Sequence, residues 1–289
     1  MNRVSFATPS RSCVTQVVAV IVLLELVVVH FTLRAQARQH PSSALEIVNQ
    51  MVQAEAVAWR NRSRFMYHKQ ERSNRTRGHL WEELVVETRD GSMERLISID
   101  GQPLSNDQKE AEEKRIDYLA NHPRRFRRQT QRRNEDEARM PSLLAELPSI
   151  FLFENLGSQG EYTRIGFEPN PSFQEKNYQD RVVHALSGIL LIHTPDMRLS
   201  KLDAHLEHKV EFGFGLLGEV SDKTNFSLMR EQVIPGYWEP TKLHVHLDGT
   251  ILLMKSISRE VEASQYRFQR VPQDLTVAQA AALIRTSDH

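Results

Sequence analysis

Between Leu202 and Phe214 the chain alternates without a break. Leu202, Ala204, Leu206, His208, Val210, Phe212 and Phe214 take every second position, while Asp203, His205, Glu207, Lys209 and Glu211 fill the others. A period of two belongs to a β-strand, in which successive side chains point to opposite faces. The spacing predicts one long strand with one apolar face. At about 3.3 Å per residue it is on the order of 40 Å long, more than most sandwich strands, and this favours a large curved sheet wrapped on something.

Further strands read out on either side. Leu80 to Thr88 and Met93 to Ile99 flank Asp90-Gly91, and Leu243, Val245 and Leu247 lead to Asp248-Gly249 and then Thr250 to Ile257. Asp-Gly between alternating segments signals a hairpin, because a type I′ turn needs positive φ at both central residues. The second hairpin is expected to pair Val245 with Leu252 and Leu243 with Met254. Strands at Phe65 and Tyr67, from Ile150 onward, and at Tyr266 and Phe268 complete the set.

Helices are fewer. Leu45, Ile47, Val48, Met51, Val52, Ala56 and Trp59 recur at three and four, which predicts an amphipathic helix over 42–61. Ser105 followed by Gln108 forms a capping box ahead of a highly charged helix that His122-Pro123 stops. Arg124, Arg125, Arg127, Arg128, Arg132 and Arg133 come next, then Glu135, Asp136 and Glu137. Such a run is either a solvated helical face or a docking surface. An alanine-rich helix from Thr276 to Ile284 ends the pattern. No βαβ rhythm appears, so the expected class is α+β: a large antiparallel sheet, curved into an incomplete barrel, with helices packed on one face.

Residues 14–33 are apolar except for Thr15, Gln16, Glu25, His30 and Thr32, with Arg3 and Arg11 before them and Ala35-Gln36-Ala37 after. That is the layout of a cleaved signal peptide. A retained membrane anchor is the alternative, although Glu25 near the middle would cost about 2.5–3.5 kcal/mol on insertion scales. Residues 1–37 are thus a signal peptide or N-terminal anchor. Residues 38–289 are a single β-rich extracytoplasmic domain, periplasmic or anchored to the inner membrane, with a charged helical insertion over about 105–147.

Cys13 is the one cysteine, which excludes a disulfide scaffold, a Cys-ligated metal and a Cys nucleophile from the rest of the chain. Lys+Arg and Asp+Glu both number 37, so no net field points to nucleic acid. Gly213-Phe214-Gly215-Leu216-Leu217-Gly218 matches a dinucleotide string, but the polar segment after it offers no helix N-terminus for a pyrophosphate. His205 and His208 fall on opposite faces of one strand, whereas His244 and His246 share the polar face. His208, in an otherwise apolar row, reads as a hydrogen-bonded core histidine or as a ligand or polar group in a binding cavity. The usual hydrolase and metalloprotease motifs are absent. No enzyme, cofactor or metal is expected.

Gly188-Ile189-Leu190-Leu191-Ile192, the turn Thr194-Pro195-Asp196 and Leu199-Ser200-Lys201-Leu202 resemble a hairpin of the LolA/LolB/MucB-like periplasmic family. The segments 210–217 and 235–241, the Asp248 hairpin and Asp100 to Gln108 are similar to an uncharacterised bacterial branch of that family. His193 stands where the family hairpin usually has Asp, and the charged insertion is a departure. The resemblance, over 42–268, implies an incomplete β-barrel with helices on its concave face. It also implies an apolar ligand such as a lipid or the acyl chain of a lipoprotein.

The functional expectation is a noncatalytic cell-envelope binding protein. Leu202, Leu206, His208, Val210, Phe212, Phe214, Leu243 and Val245 would form its ligand-binding face, and an apolar ligand or acylated protein would be its partner. The alternative is an envelope interaction or sensor module with a filled core that docks a protein partner through Arg124, Arg125, Arg127, Arg128, Arg132 and Arg133.

Overall fold

The computed structural model describes residues 43–212, 218–251 and 255–287. The N-terminal apolar segment, Cys13, Phe214, Leu252, Met254 and most of the Gly213 string lie outside the described residues. Among the described residues no helix is long and apolar enough to cross a membrane.

Helix α1 (Ala44–Arg60) comes first and buries Val48, Met51 and Val52 on one side. Four antiparallel strands follow: β1 (Arg64–Ser73), β2 (Leu80–Thr88), β3 (Gly91–Ile99) and the two-residue β4 (Gln102–Pro103). Helix α2 (Asn106–Asn121) starts on the capping box, with Ser105 Oγ accepting from the Gln108 amide at 3.2 Å and Gln108 Oε1 accepting from the Ser105 amide at 2.8 Å. Helix α3 (Pro123–Ile150) uses Pro123 at its first position, where a missing N–H costs nothing. Then come β5 (Phe151–Gln159), β6 (Tyr162–Pro169), the short α4 (Tyr178–His184), β7 (Leu186–His193) and β8 (Arg198–Leu206). The chain closes with β9 (Val210–Phe212), β10 (Gly218–Val220), β11 (Asn225–Ile234), β12 (Tyr237–Ile251), β13 (Lys255–Val271) and α5 (Val277–Thr286).

The described strands make one antiparallel sheet whose main path runs β4-β3-β2-β1-β13-β12-β11-β8-β7-β6-β5, with β10 paired to β12 and β9 to β10 beside it; the two end strands of the path do not pair, so it is not closed into a barrel. Three meanders are joined side by side. The junction of β1 with β13 places the first and last strands next to each other mid-sheet.

Register divides the faces. Leu202, Leu228, Leu243 and Ala263 form one cross-strand row, and Ala204, Phe226, Val245 and Val261 form the next. This inner face packs against Val48, Met51 and Val52 of α1 and Leu144, Leu147 and Ile150 of α3. Met66, Val86 and Met93 pair on the opposite, outer face, where they meet Ile116 and Leu119 of α2 and Val277, Ala280, Ala281 and Ile284 of α5. Helices therefore cover both faces, and the expectation of helices on one concave face is corrected. The cause is the outward apolar row Met66, Val86 and Met93, which needs a cover of its own. Helix α3 serves both sides: Phe126 belongs to the outer cluster and Leu144 to the inner one. Between them it passes the β2–β3 turn, where Thr130 Oγ1 donates to the Asp90 carbonyl at 2.6 Å and Arg127 pairs with the Asp90 carboxylate at 2.9 Å.

Two strand expectations fail for physical reasons. The strand read over 202–214 stops at Leu206, because neither neighbour continues: β7 pairs only to Leu206 and β11 begins at Asn225 opposite His205. Glu207, His208 and Lys209 are exposed, and Val210 to Phe212 pair with β10 instead. Asp248 and Gly249 lie inside β12, paired with Ser258 and Ile257, not at a turn, so Val245 faces Val261 and Leu243 faces Ala263. Gly249 serves a close approach: a Cβ there would sit 2.4 Å from the Glu219 carbonyl oxygen of β10. The Asp90 hairpin forms as expected, one residue early, with Arg89 and Asp90 in the loop and Gly91 opposite Thr88.

Candidate functional site

Helices α1 and α3 do not fill the inner face along its whole length. A cavity of about 1000 Å3 remains between them and the sheet, at the top of the roughly 300–1,000 Å3 range of ligand pockets. Met140 and Leu144 of α3 and Leu199, Leu228 and Leu243 of the sheet give it apolar walls, and Trp59, Tyr67 and Tyr237 add aromatic ones. Its rim carries the exposed residues Val57, Asn61, Arg62 and Arg89.

Ionisable groups are set into these walls. Glu55 falls on the same side of α1 as Val48, Met51 and Val52 and is buried with them. Its carboxylate accepts from Arg198 at 2.9 and 3.1 Å, from Arg230 Nη1 at 2.7 Å and from the Leu199 amide at 3.0 Å. Burial alone would raise the Glu55 carboxyl, but the two arginines outweigh it and hold it below its ordinary value. Arg230 also donates to the Trp238 carbonyl at 2.8 Å.

Three other carboxyls of the cavity go the opposite way. Glu87 is pushed up to about 8, mainly by burial and then by Glu239 and Glu137, against a hydrogen bond from the Phe65 amide. Glu239 is pushed up to about 7, again by burial, which Arg230 and Arg198 only partly offset. Burial raises Glu137 too, and holds the Tyr67 phenol neutral far into the alkaline range. At neutral pH the pocket therefore presents Glu87 mostly protonated and Glu239 partly so, beside the anchored Glu55 carboxylate, a lining able to donate and accept hydrogen bonds.

Beyond the pocket, the inner face of β1 to β3 is closed by six charges. Lys69 lies 3.2, 2.8 and 3.3 Å from Glu71, Glu83 and Glu94, Arg75 reaches Glu71 and Glu83 at 2.8 Å each, and Arg133 reaches Glu94 at 3.0 Å. Three cations meet three anions. Burial opposes ionisation here, yet the cations hold Glu71 and Glu94 down at about 2.

The expected ligand-binding face is split by the fold. Leu202, Leu206, Val210 and Val245 are buried within the inner core, so they support the cavity without being open to it. Leu243 lines the cavity. Phe212 is half-buried and meets Tyr178 edge-on at 5.2 Å between ring centres. His208 is exposed, which corrects its reading as a core or cavity histidine: the strand that was to bury it ends two residues earlier. Phe214 lies outside the described residues. Of the arginines, Arg127 and Arg133 are tied to Asp90 and Glu94 on the β2–β3 hairpin, while Arg124, Arg125, Arg128 and Arg132 are exposed on α3.

Glu55, Glu87, Arg198, Arg230 and Glu239 were not singled out from the sequence. Glu55 left a trace, since it continues the spacing of Met51 and Val52 on the apolar side of α1. No histidine or cysteine lines the cavity among the described residues. Comparison with protein-family models, with curated proteins and with solved structures finds no match for this chain.

Proposed function

We propose that the chain is a noncatalytic binding protein of the cell envelope that holds an amphiphilic molecule, such as a lipid or an acylated segment, between its sheet and helices α1 and α3. The cavity of about 1000 Å3 carries this reading. An acyl portion would lie against Met140, Leu144, Leu228 and Leu243, where burial supplies affinity at about 25 cal/mol per Å2. A polar end would meet Glu239 and Glu87, which donate when protonated and accept when ionised, and the Glu55-bound arginines, which donate. The envelope location rests on the N-terminal apolar segment and on the family resemblance.

A second reading has its own support. Arg124, Arg128 and Arg132 recur every four residues, so they form one exposed stripe on α3. That stripe would dock an acidic protein partner.

Native mass spectrometry of the full-length protein, purified from an exporting bacterial host in mild detergent, with organic extraction of bound material, tests the first reading. A stoichiometric lipid or acylated peptide is expected, and it should be lost in Leu243→Arg at unchanged circular dichroism. A bare protein mass, or an adduct that Leu243→Arg leaves in place, would overturn it.

A further inference from the structure

The outer faces of β12 and β13 carry a separate cluster of ligating side chains. His244 faces Glu262 and His246 faces Glu260 as directly opposed cross-strand pairs. One ligand atom each from His244, Glu260 and Glu262 lie within 4.8 Å of one another. His244 Nδ1 is 3.8 Å from Glu260 Oε1. In a tetrahedral zinc site with bonds of about 2.0–2.2 Å, neighbouring ligand atoms are about 3.4 Å apart, so small side-chain rotations bring this set onto one ion.

Glu260 is already oriented for that task. Its Oε2 accepts from His246 Nδ1 at 2.5 Å, which leaves Oε1 turned toward His244. Its backbone amide donates to Asn74 Oδ1 at 2.9 Å, so the neighbouring turn steadies the strand at this position. Ligating carboxylates in metal sites are commonly fixed in orientation by such a hydrogen bond from a neighbouring side chain. Arg72, directly opposite Glu262 on β1, turns its guanidinium to the Gly78 carbonyl. Cross-strand attraction between carboxylates and protonated histidines would explain the pairing, but it does not require one carboxylate to point at two imidazoles.

We propose that His244, Glu260 and Glu262 bind one divalent transition-metal ion of the zinc type, with His246 as the positioning residue and water at the fourth corner. Imidazole plus carboxylate oxygen suits zinc, and two carboxylates balance its charge. The site is on the face of the sheet opposite the cavity and stands or falls independently of it.

The test uses full-length, tag-free protein in mild detergent, stripped with a chelator and titrated with Zn2+ by calorimetry and with Co2+ by visible absorption. One equivalent should bind, with the intense bands of four-coordinate Co2+. His244→Ala and Glu262→Gln should abolish saturable binding, and His246→Ala should weaken it about 10- to 100-fold. Thermal unfolding without metal, unchanged in these surface variants, shows that they fold. Absence of saturable binding in the parent protein, or a site that survives in the His244→Ala and Glu262→Gln double variant, would overturn the proposal.

Discussion

Glu55 on α1 and Arg198 on β8, 143 residues apart, face each other through two hydrogen bonds of 2.9 and 3.1 Å, and both side chains are less than a tenth exposed. Arg230 shares the same carboxylate. Glu55→Gln keeps the shape but leaves two arginines without their anion, a loss of about 3–5 kcal/mol, to be read as a lower urea midpoint. Because this carboxyl lies below its ordinary value when folded, its contribution is present at neutral pH and fades as the solution is acidified past the usual carboxylate range.

Glu87 and Glu239 have the opposite sign. Their folded values, about 8 and about 7, lie above that of an unfolded glutamate, so the folded state binds the extra proton. Stability from these groups is full below about pH 4.3, and it declines as pH rises to 8. In thermal melts across this range Glu87→Gln should flatten the decline and be more stable than the parent above pH 8, by on the order of 2–4 kcal/mol. Glu71 and Glu94, held at about 2, give the reverse slope in acid, which the variant should leave intact.

At Gly188 a Cβ would sit 2.0 Å from the Asp203 carbonyl oxygen and 2.4 Å from the Phe167 ring. Gly188→Ala should cost about 3 kcal/mol or more, since backbone on the paired strand cannot move aside. Gly166→Ala meets the end of Leu156 at 3.3 Å, a flexible and exposed side chain. Its cost should stay below about 1 kcal/mol, and chemical denaturation of the two variants side by side checks the contrast.

Reversing Arg124, Arg128 and Arg132 to glutamate should change stability by no more than about 0.5 kcal/mol each, as expected for exposed side chains. Reversal of Arg133 should cost more, because it removes a partner from Glu94 inside the six-charge group. Denaturation midpoints separate the two cases. If α3 docks an acidic partner, pull-down of that partner should be lost in the triple variant and weaken with salt.

Local signals were the legible ones. The spacing from Leu45 to Trp59, the Ser105 capping box and Asp90-Gly91 each concern residues within a few positions of one another; the first two form where expected and the hairpin forms one residue early. Leu206 and Val210 carry the same alternation across a break, because periodicity does not report whether a strand has neighbours. Asp248-Gly249 departs from the hairpin expectation for a related reason: its glycine answers to Glu219, on another strand, and not to a turn. The cavity was least legible. Glu55, Glu87, Arg198, Arg230 and Glu239 come from five separate elements, and only the register that assembles them makes their shared burial visible.

The main path of this open sheet has two free ends, and each is a template on which another chain could add a strand. One edge is β4, only two residues long and ending in Pro103, which has no amide to offer. The other is β5, which is exposed from Glu154 onward and broken by a bulge between Asn155 and Gly157, where Asn155 Oδ1 takes the Gly157 amide at 2.8 Å. These two borders are thus poor seeds for fibrillar growth.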